Sequence, residues 1–114
     1  MIVSNKTRNS ILADKAVIAA GVYQRVKGLL GRSSLQEGEA LIIEPCRSVH
    51  TFFMRFAIDV LFVNKEGTVI RTLKQIKPYR LSNIYLKAHF AVELPMGTIE
   101  RTHTAEGDCI EIGS

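Results

Sequence analysis

The chain is expected to fold as a mainly β, borderline α+β domain: a small antiparallel β-barrel or sandwich of about six or more strands with one short N-terminal helix. Short runs rich in Val, Ile and Phe recur along the sequence, punctuated by Pro45, Gly67, Pro78 and Pro95. Only one segment has convincing helical spacing. The 46% apolar content over 114 residues is enough for one core without staples, and it excludes an intrinsically disordered chain.

Ile11 to Ala19, with Val17 and Ile18, predicts the first strand. Val22, Val26, Leu29 and Leu30 then fall on one helical stripe while Gln24, Arg25 and Lys27 face away, so the spacing predicts a helix over Val22–Leu30 stopped by Gly31. Ala40–Glu44 reads as an apolar strand ended by Pro45. Val49–Val63 is the most apolar run and reads as a long strand. Asn64-Lys65-Glu66-Gly67 separates it from the alternating run Thr68–Ile76, the pattern of a hairpin whose turn ends on a left-handed glycine. Ala88, Phe90, Val92 and Leu94 alternate with His89, Ala91 and Glu93 as a half-buried strand, and Cys109–Ile112 closes the chain as a last short one. No repeat or linker interrupts residues 1–114, which read as a single domain.

Charge is distributed unevenly. Fifteen Lys and Arg against eleven Asp and Glu leave +4. Arg55, Lys65, Arg71, Lys74, Lys77, Arg80 and Lys87 face only Asp59 and Glu66 between Arg55 and Lys87, whereas the chain from Ala88 onward holds five acids and only Arg101. A basic stretch suits phosphate or an anionic surface, and it also suits long side chains lining the solvated face of strands. A nucleic-acid partner is not expected, since neither a recognition helix nor a row of exposed aromatics accompanies the charge. No apolar run has the length of a membrane span or of a signal segment, so the chain as given is expected to be cytoplasmic and monomeric; a trimmed N-terminus would instead fit an envelope location.

Candidate chemistry concentrates in Cys46–Asp59, where polar groups interrupt the most apolar run. In a regular strand Arg55 and Asp59 share one face with Phe53, Leu61 and Val63, about 13 Å apart at roughly 3.3 Å of rise per residue. His50, Phe52, Met54, Phe56 and Ile58 share the other. Charges in such surroundings need partners or a cleft. The bland expectation is a set of ion pairs fixing strand register, with Glu93 and Asp108 as partners for Arg55. The functional one is a ligand pocket in which Arg55 grips an anionic group through its planar fork and His50, Asp59 and Glu93 complete the site. Cys46 and His50, joined in space by His89, His103 or Cys109, would suit zinc, but without a second ligand cluster no metal or other cofactor is expected, and Cys46 reads as core filler. A cysteine nucleophile paired with His50 or His89 lacks a glycine-rich oxyanion loop.

Four segments taken in order, GLLGRSSLQEGEALII, CRSVHTFFMRFAIDVLFVNKEGTVI, ELPMGT and EGD-x-I, resemble the domain of unknown function 192 family from about residue 8 to the C-terminus. That resemblance implies a small, mainly β fold and supplies no activity or catalytic residues. Its signature positions fall here on Gly28, Gly31, Arg32, Met54, Arg55, Asp59, Glu93, Pro95, Gly97, Gly107 and Asp108. Relatives often carry proline where this chain has Ala57, and many follow a signal or lipid-attachment sequence. The expected function is a non-enzymatic binding module for a small anionic ligand or a protein partner. The alternatives are a metal- or cysteine-dependent hydrolase and an interaction domain with no ligand pocket.

Overall fold

The computed structural model describes residues 1–19, 34–51 and 54–113. Among these residues seven strands and one short helix follow in the order β1 (Ile2–Asn5), β2 (Ser10–Ala19), β3 (Gly38–Ile43), β4 (Ile58–Val63), β5 (Val69–Ile76), β6 (Phe90–Pro95), α1 (Thr98–Thr102) and β7 (Ile110–Gly113). They build one mixed sheet of order β5-β4-β6-β3-β2-β1-β7.

This corrects the antiparallel barrel or sandwich expected from the alternating runs. Strands β2 and β3 pair in parallel, which a tight hairpin cannot achieve; residues 20–37 supply the long connection that parallel neighbours require. Between the starts of the edge strands β5 and β7 there is one isolated bridge, Thr68 to Cys109, with a few flanking backbone bonds such as Val69 N–H to the Asp108 carbonyl. No ladder joins the two strands, so the sheet does not close into a barrel. The short helix among the described residues is α1, near the C-terminus; the helix expected over Val22–Leu30 lies outside the described residues.

The β4–β5 hairpin forms where Asn64-Lys65-Glu66-Gly67 places it. The Asn64 Oδ1 accepts from the Glu66 and Thr68 N–H groups at 3.1 and 2.9 Å, and Gly67 takes φ of 88°. That φ is cheap only for glycine.

All of β4 is buried because it lies between β5 and β6 with apolar clusters on both faces. Leu61 and Val63 join Val3, Leu12, Leu94 and Ile99 on one face. Ile58, Val60 and Phe62 join Leu41, Ile43, Cys46, Val49 and Met54 on the other. Strand β6 is likewise buried on both faces rather than half-buried. The long strand expected over Val49–Val63 reduces to Ile58–Val63; residues 55 and 56 form a bend, and Met54 and Phe56 cover the second cluster instead of extending the ladder.

A polar brace ties β1 to the approach to β7. The buried Asn5 amide donates from Nδ2 to Asp108 Oδ2 at 2.9 Å and to Thr104 Oγ1 at 3.1 Å, while its Oδ1 accepts from the Arg8 N–H at 3.0 Å. Arg8 Nε and the Ala105 N–H, each at 3.0 Å, also reach Asp108. Burial opposes the Asp108 charge, but the bonds from Asn5 and Ala105 and the bond and charge of Arg8 outweigh it and hold its carboxyl below the ordinary carboxylate range. Asn5→Ala strips three bonds from a buried site and is expected to cost about 2 kcal/mol, read as a fall in the urea midpoint at unchanged slope.

Candidate functional site

The residues singled out from the sequence do not converge. Because β4 begins only at Ile58, the alternation that would put Arg55 and Asp59 on one face is broken by the bend, and Arg55 is exposed. Asp59 is fully buried. Its Oδ1 accepts from the Gln75 N–H at 2.8 Å, and its Oδ2 accepts from Gly97 at 3.1 Å and Ile99 at 2.9 Å. Asp59 thus fastens the irregular step in β5, where Gln75 takes φ of 54°, to the start of α1. Glu93 pairs in register with Leu41 and Val60, on the face opposite to Asp59. It is buried with no hydrogen-bond partner among the described residues, and burial pushes its carboxyl from 4.5 up to about 7. His50 is exposed and bridges Leu81 through its backbone. Among the described residues, no three His, Cys, Asp or Glu side chains converge as a metal site would need.

A cleft forms instead where residues 47–51 meet residues 77–85. The Thr51 N–H donates to the Arg80 carbonyl and the Tyr79 N–H to the Thr51 carbonyl, both at 2.9 Å. The buried Thr51 hydroxyl donates to the Lys77 carbonyl at 2.6 Å and accepts from the Arg80 N–H at 2.9 Å. Further along, the Val49 N–H donates to Ser82 Oγ at 2.9 Å, and the Tyr85 N–H to the Arg47 carbonyl at 2.8 Å. Tyr85 anchors the far end by packing on Phe62, with ring centroids 4.7 Å apart.

Between this ladder and the second half of β5 lies a cavity of about 310 Å³. Val49, Leu73, Ile76 and Tyr85 give it apolar walls, and Arg71 and Arg80 are its charged residues. None of the described lining residues is an Asp or Glu, and the sequence has none over 45–58 or 67–92. Neither arginine is paired with a carboxylate among the described residues. Two unpaired guanidinium groups beside apolar walls can hold an anionic headgroup and seat a short apolar body. Sequence reasoning noted the basic run but not this site, because its geometry depends on two segments some thirty residues apart in the chain meeting in space.

The family model DUF192, described as an uncharacterized ACR family, matches residues 3–112. The chain belongs to this family. Over 111 residues it is 28% identical to a UPF0127 protein of Thermococcus sibiricus, covering 94% of this chain and 71% of that one. A UPF0127 protein of Pyrococcus furiosus is 42% identical over 64 residues, 56% of this chain and 54% of that one. A crystal structure of a protein of unknown function from Novosphingobium aromaticivorans matches with a TM-score of 0.83 at 19% identity, covering 97% of this chain and 82% of that one; at that identity the likeness is one of fold. No described helix of this DUF192 chain is long and apolar enough to cross a membrane.

Neither cysteine forms a disulfide; Cys46 is buried and Cys109 exposed, and the Cys46 thiol donates to the Ser48 carbonyl at 3.1 Å. Burial shields the Cys46 sulfur from a reagent in solution, whereas Cys109 is open to it. A chromogenic thiol reagent near neutral pH is expected to label Cys109 promptly and Cys46 only on unfolding. Prompt labelling of Cys46 in the folded chain would contradict that arrangement.

Proposed function

We propose that this DUF192 protein is a binding module for a small anionic ligand with a short apolar body, held in the cleft between β5 and residues 77–85. The observation that carries the reading is the pair Arg71 and Arg80, uncompensated by any carboxylate among the described residues, beside a 310 Å³ cavity with apolar sides. Arg71 and Arg80 bind the anion by charge-assisted hydrogen bonds. Thr51 holds the Arg80 backbone, and Leu73, Ile76 and Tyr85 receive the apolar part. The absence of carboxylates favours phosphate or carboxylate over a cation, and the modest cavity favours a small molecule over nucleic acid, for which Tyr79 is the one exposed aromatic among the described residues.

Calorimetric titration with n-butyl phosphate is the test. The wild-type chain is expected to bind n-butyl phosphate and to ignore n-butanol. Arg71→Ala and Arg80→Ala are each expected to weaken binding roughly tenfold, the lower end of what a charge-assisted bond contributes. Both residues are exposed, so thermal stability should stay within about 0.5 kcal/mol of wild type. Equal affinity in the double variant would overturn the reading.

A further inference from the structure

The segment that forms one wall of the cleft also presents large apolar side chains to solvent. Tyr79, Leu81, Ile84 and Leu86 are 59%, 69%, 69% and 74% exposed within eight residues of chain. Basic residues are interspersed with them in the chain: Arg71, Lys74, Lys77, Arg80 and Lys87 lie on the same stretch, and Arg47, whose carbonyl accepts from the Tyr85 N–H, lies on the segment bonded to it. No Asp or Glu occurs between Gly67 and Val92 or between Pro45 and Ile58. Isolated exposed apolar residues need no explanation, but four together inside a carboxylate-free basic stretch form a patch.

We propose that this patch docks on an anionic lipid bilayer, with Ile84 and Leu86 entering the interfacial region while Arg71 and Arg80 receive a lipid phosphate in the cleft. The two halves of the patch make complementary demands. The basic residues call for a negative surface, and the apolar tips call for an apolar layer directly behind it. A bilayer with acidic headgroups offers both, whereas a soluble polyanion satisfies only the charges. The headgroup contact rests on the anion-cleft reading; the insertion of Ile84 and Leu86 does not, since neither lines the cleft.

The experiment is co-sedimentation of the full chain with phosphatidylcholine vesicles, with and without phosphatidylserine. It is paired with Ile84→Trp as a reporter, because the chain contains no tryptophan. Binding is expected only to the phosphatidylserine vesicles and should weaken as salt rises, and the indole emission of the reporter variant should shift to shorter wavelength on binding. The variant Ile84→Ser with Leu86→Ser is expected to lose roughly tenfold in vesicle affinity while keeping its n-butyl phosphate affinity and melting temperature. Wild type that binds n-butyl phosphate but not the acidic vesicles overturns the membrane proposal and leaves the cleft reading standing. Vesicle binding without n-butyl phosphate binding overturns the headgroup contact. Equal affinity for soluble polyglutamate without an emission shift shows that charge alone is at work and overturns the docking.

Discussion

Asp59→Ala is expected to lower the unfolding free energy by about 4 kcal/mol, because it leaves three backbone N–H groups, those of Gln75, Gly97 and Ile99, without their acceptor at a buried site. Each buried donor left unmet costs about 1–3 kcal/mol. The loss compounds because the same carboxylate holds an unfavourable backbone conformation: Gln75 sits in the left-handed region with φ of 54°, where a non-glycine residue is disfavoured. A five-residue helix has no intrinsic stability, so α1 depends on this carboxylate and on Ile99 packing into the first cluster. Asp59→Asn keeps one acceptor oxygen but turns an amide N–H₂ toward backbone donors, and should fall between wild type and alanine. Urea unfolding followed by circular dichroism measures both. A loss below about 1 kcal/mol for Asp59→Ala would mean that the β5 step and α1 are held by something else.

The second large effect is on the pH dependence of stability. Glu93 titrates near 4.5 when unfolded and at about 7 in the folded chain, because burial penalises its charge. Between those values the folded state holds a proton that the unfolded state has released. The unfolding free energy therefore falls as pH rises from about 4.5 to about 7, by about 3 kcal/mol in all. Above pH 7 the carboxylate must be buried charged among Leu41, Val60 and their neighbours, and the penalty stays constant. Glu93→Gln, which cannot ionise, should remove this slope and be more stable than wild type at about pH 8 while nearly matching it at about pH 5. A Glu93→Gln profile parallel to wild type across that range would show that Glu93 is not the titrating group. Asp108 works in the opposite sense: with its carboxyl held low, the stability it contributes is lost as pH falls below the ordinary aspartate range.

Local patterning made much of this architecture legible. The strands β2, β3 and β5 to β7 fall within a residue or two of the apolar and β-branched runs that predict them, and Asn64 and Gly67 mark the hairpin turn. Pairings between distant segments were not legible. Nothing in Ile11–Ala19 or Ala40–Glu44 reveals that the two run in parallel, since strand order is a global property. Helix α1 has five residues and is set by Asp59 some forty residues earlier, so it carries no local signal of adequate length. Val49, Met54 and Phe56 misled for a different reason: they cover one face of the sheet without joining the ladder, and a side chain is equally apolar in either role. Read as one strand, the run Val49–Val63 is what put the expected pocket at Arg55. The basic run that carries Arg71 and Arg80 was visible in the charge distribution, but the cleft they line waited on the Thr51–Arg80 and Val49–Ser82 contacts.

A nitrogen–proton correlation spectrum of the labelled chain, titrated with n-butyl phosphate, locates the anion site directly. The expected result is saturable shifts confined to the backbone amides of Thr51, Arg71, Leu73, Arg80 and Ser82, with Arg55 and Asp108 unmoved. Shifts centred on Arg55, or none beyond those produced by equal ionic strength of chloride, would contradict the placement of an anion site at Arg71 and Arg80.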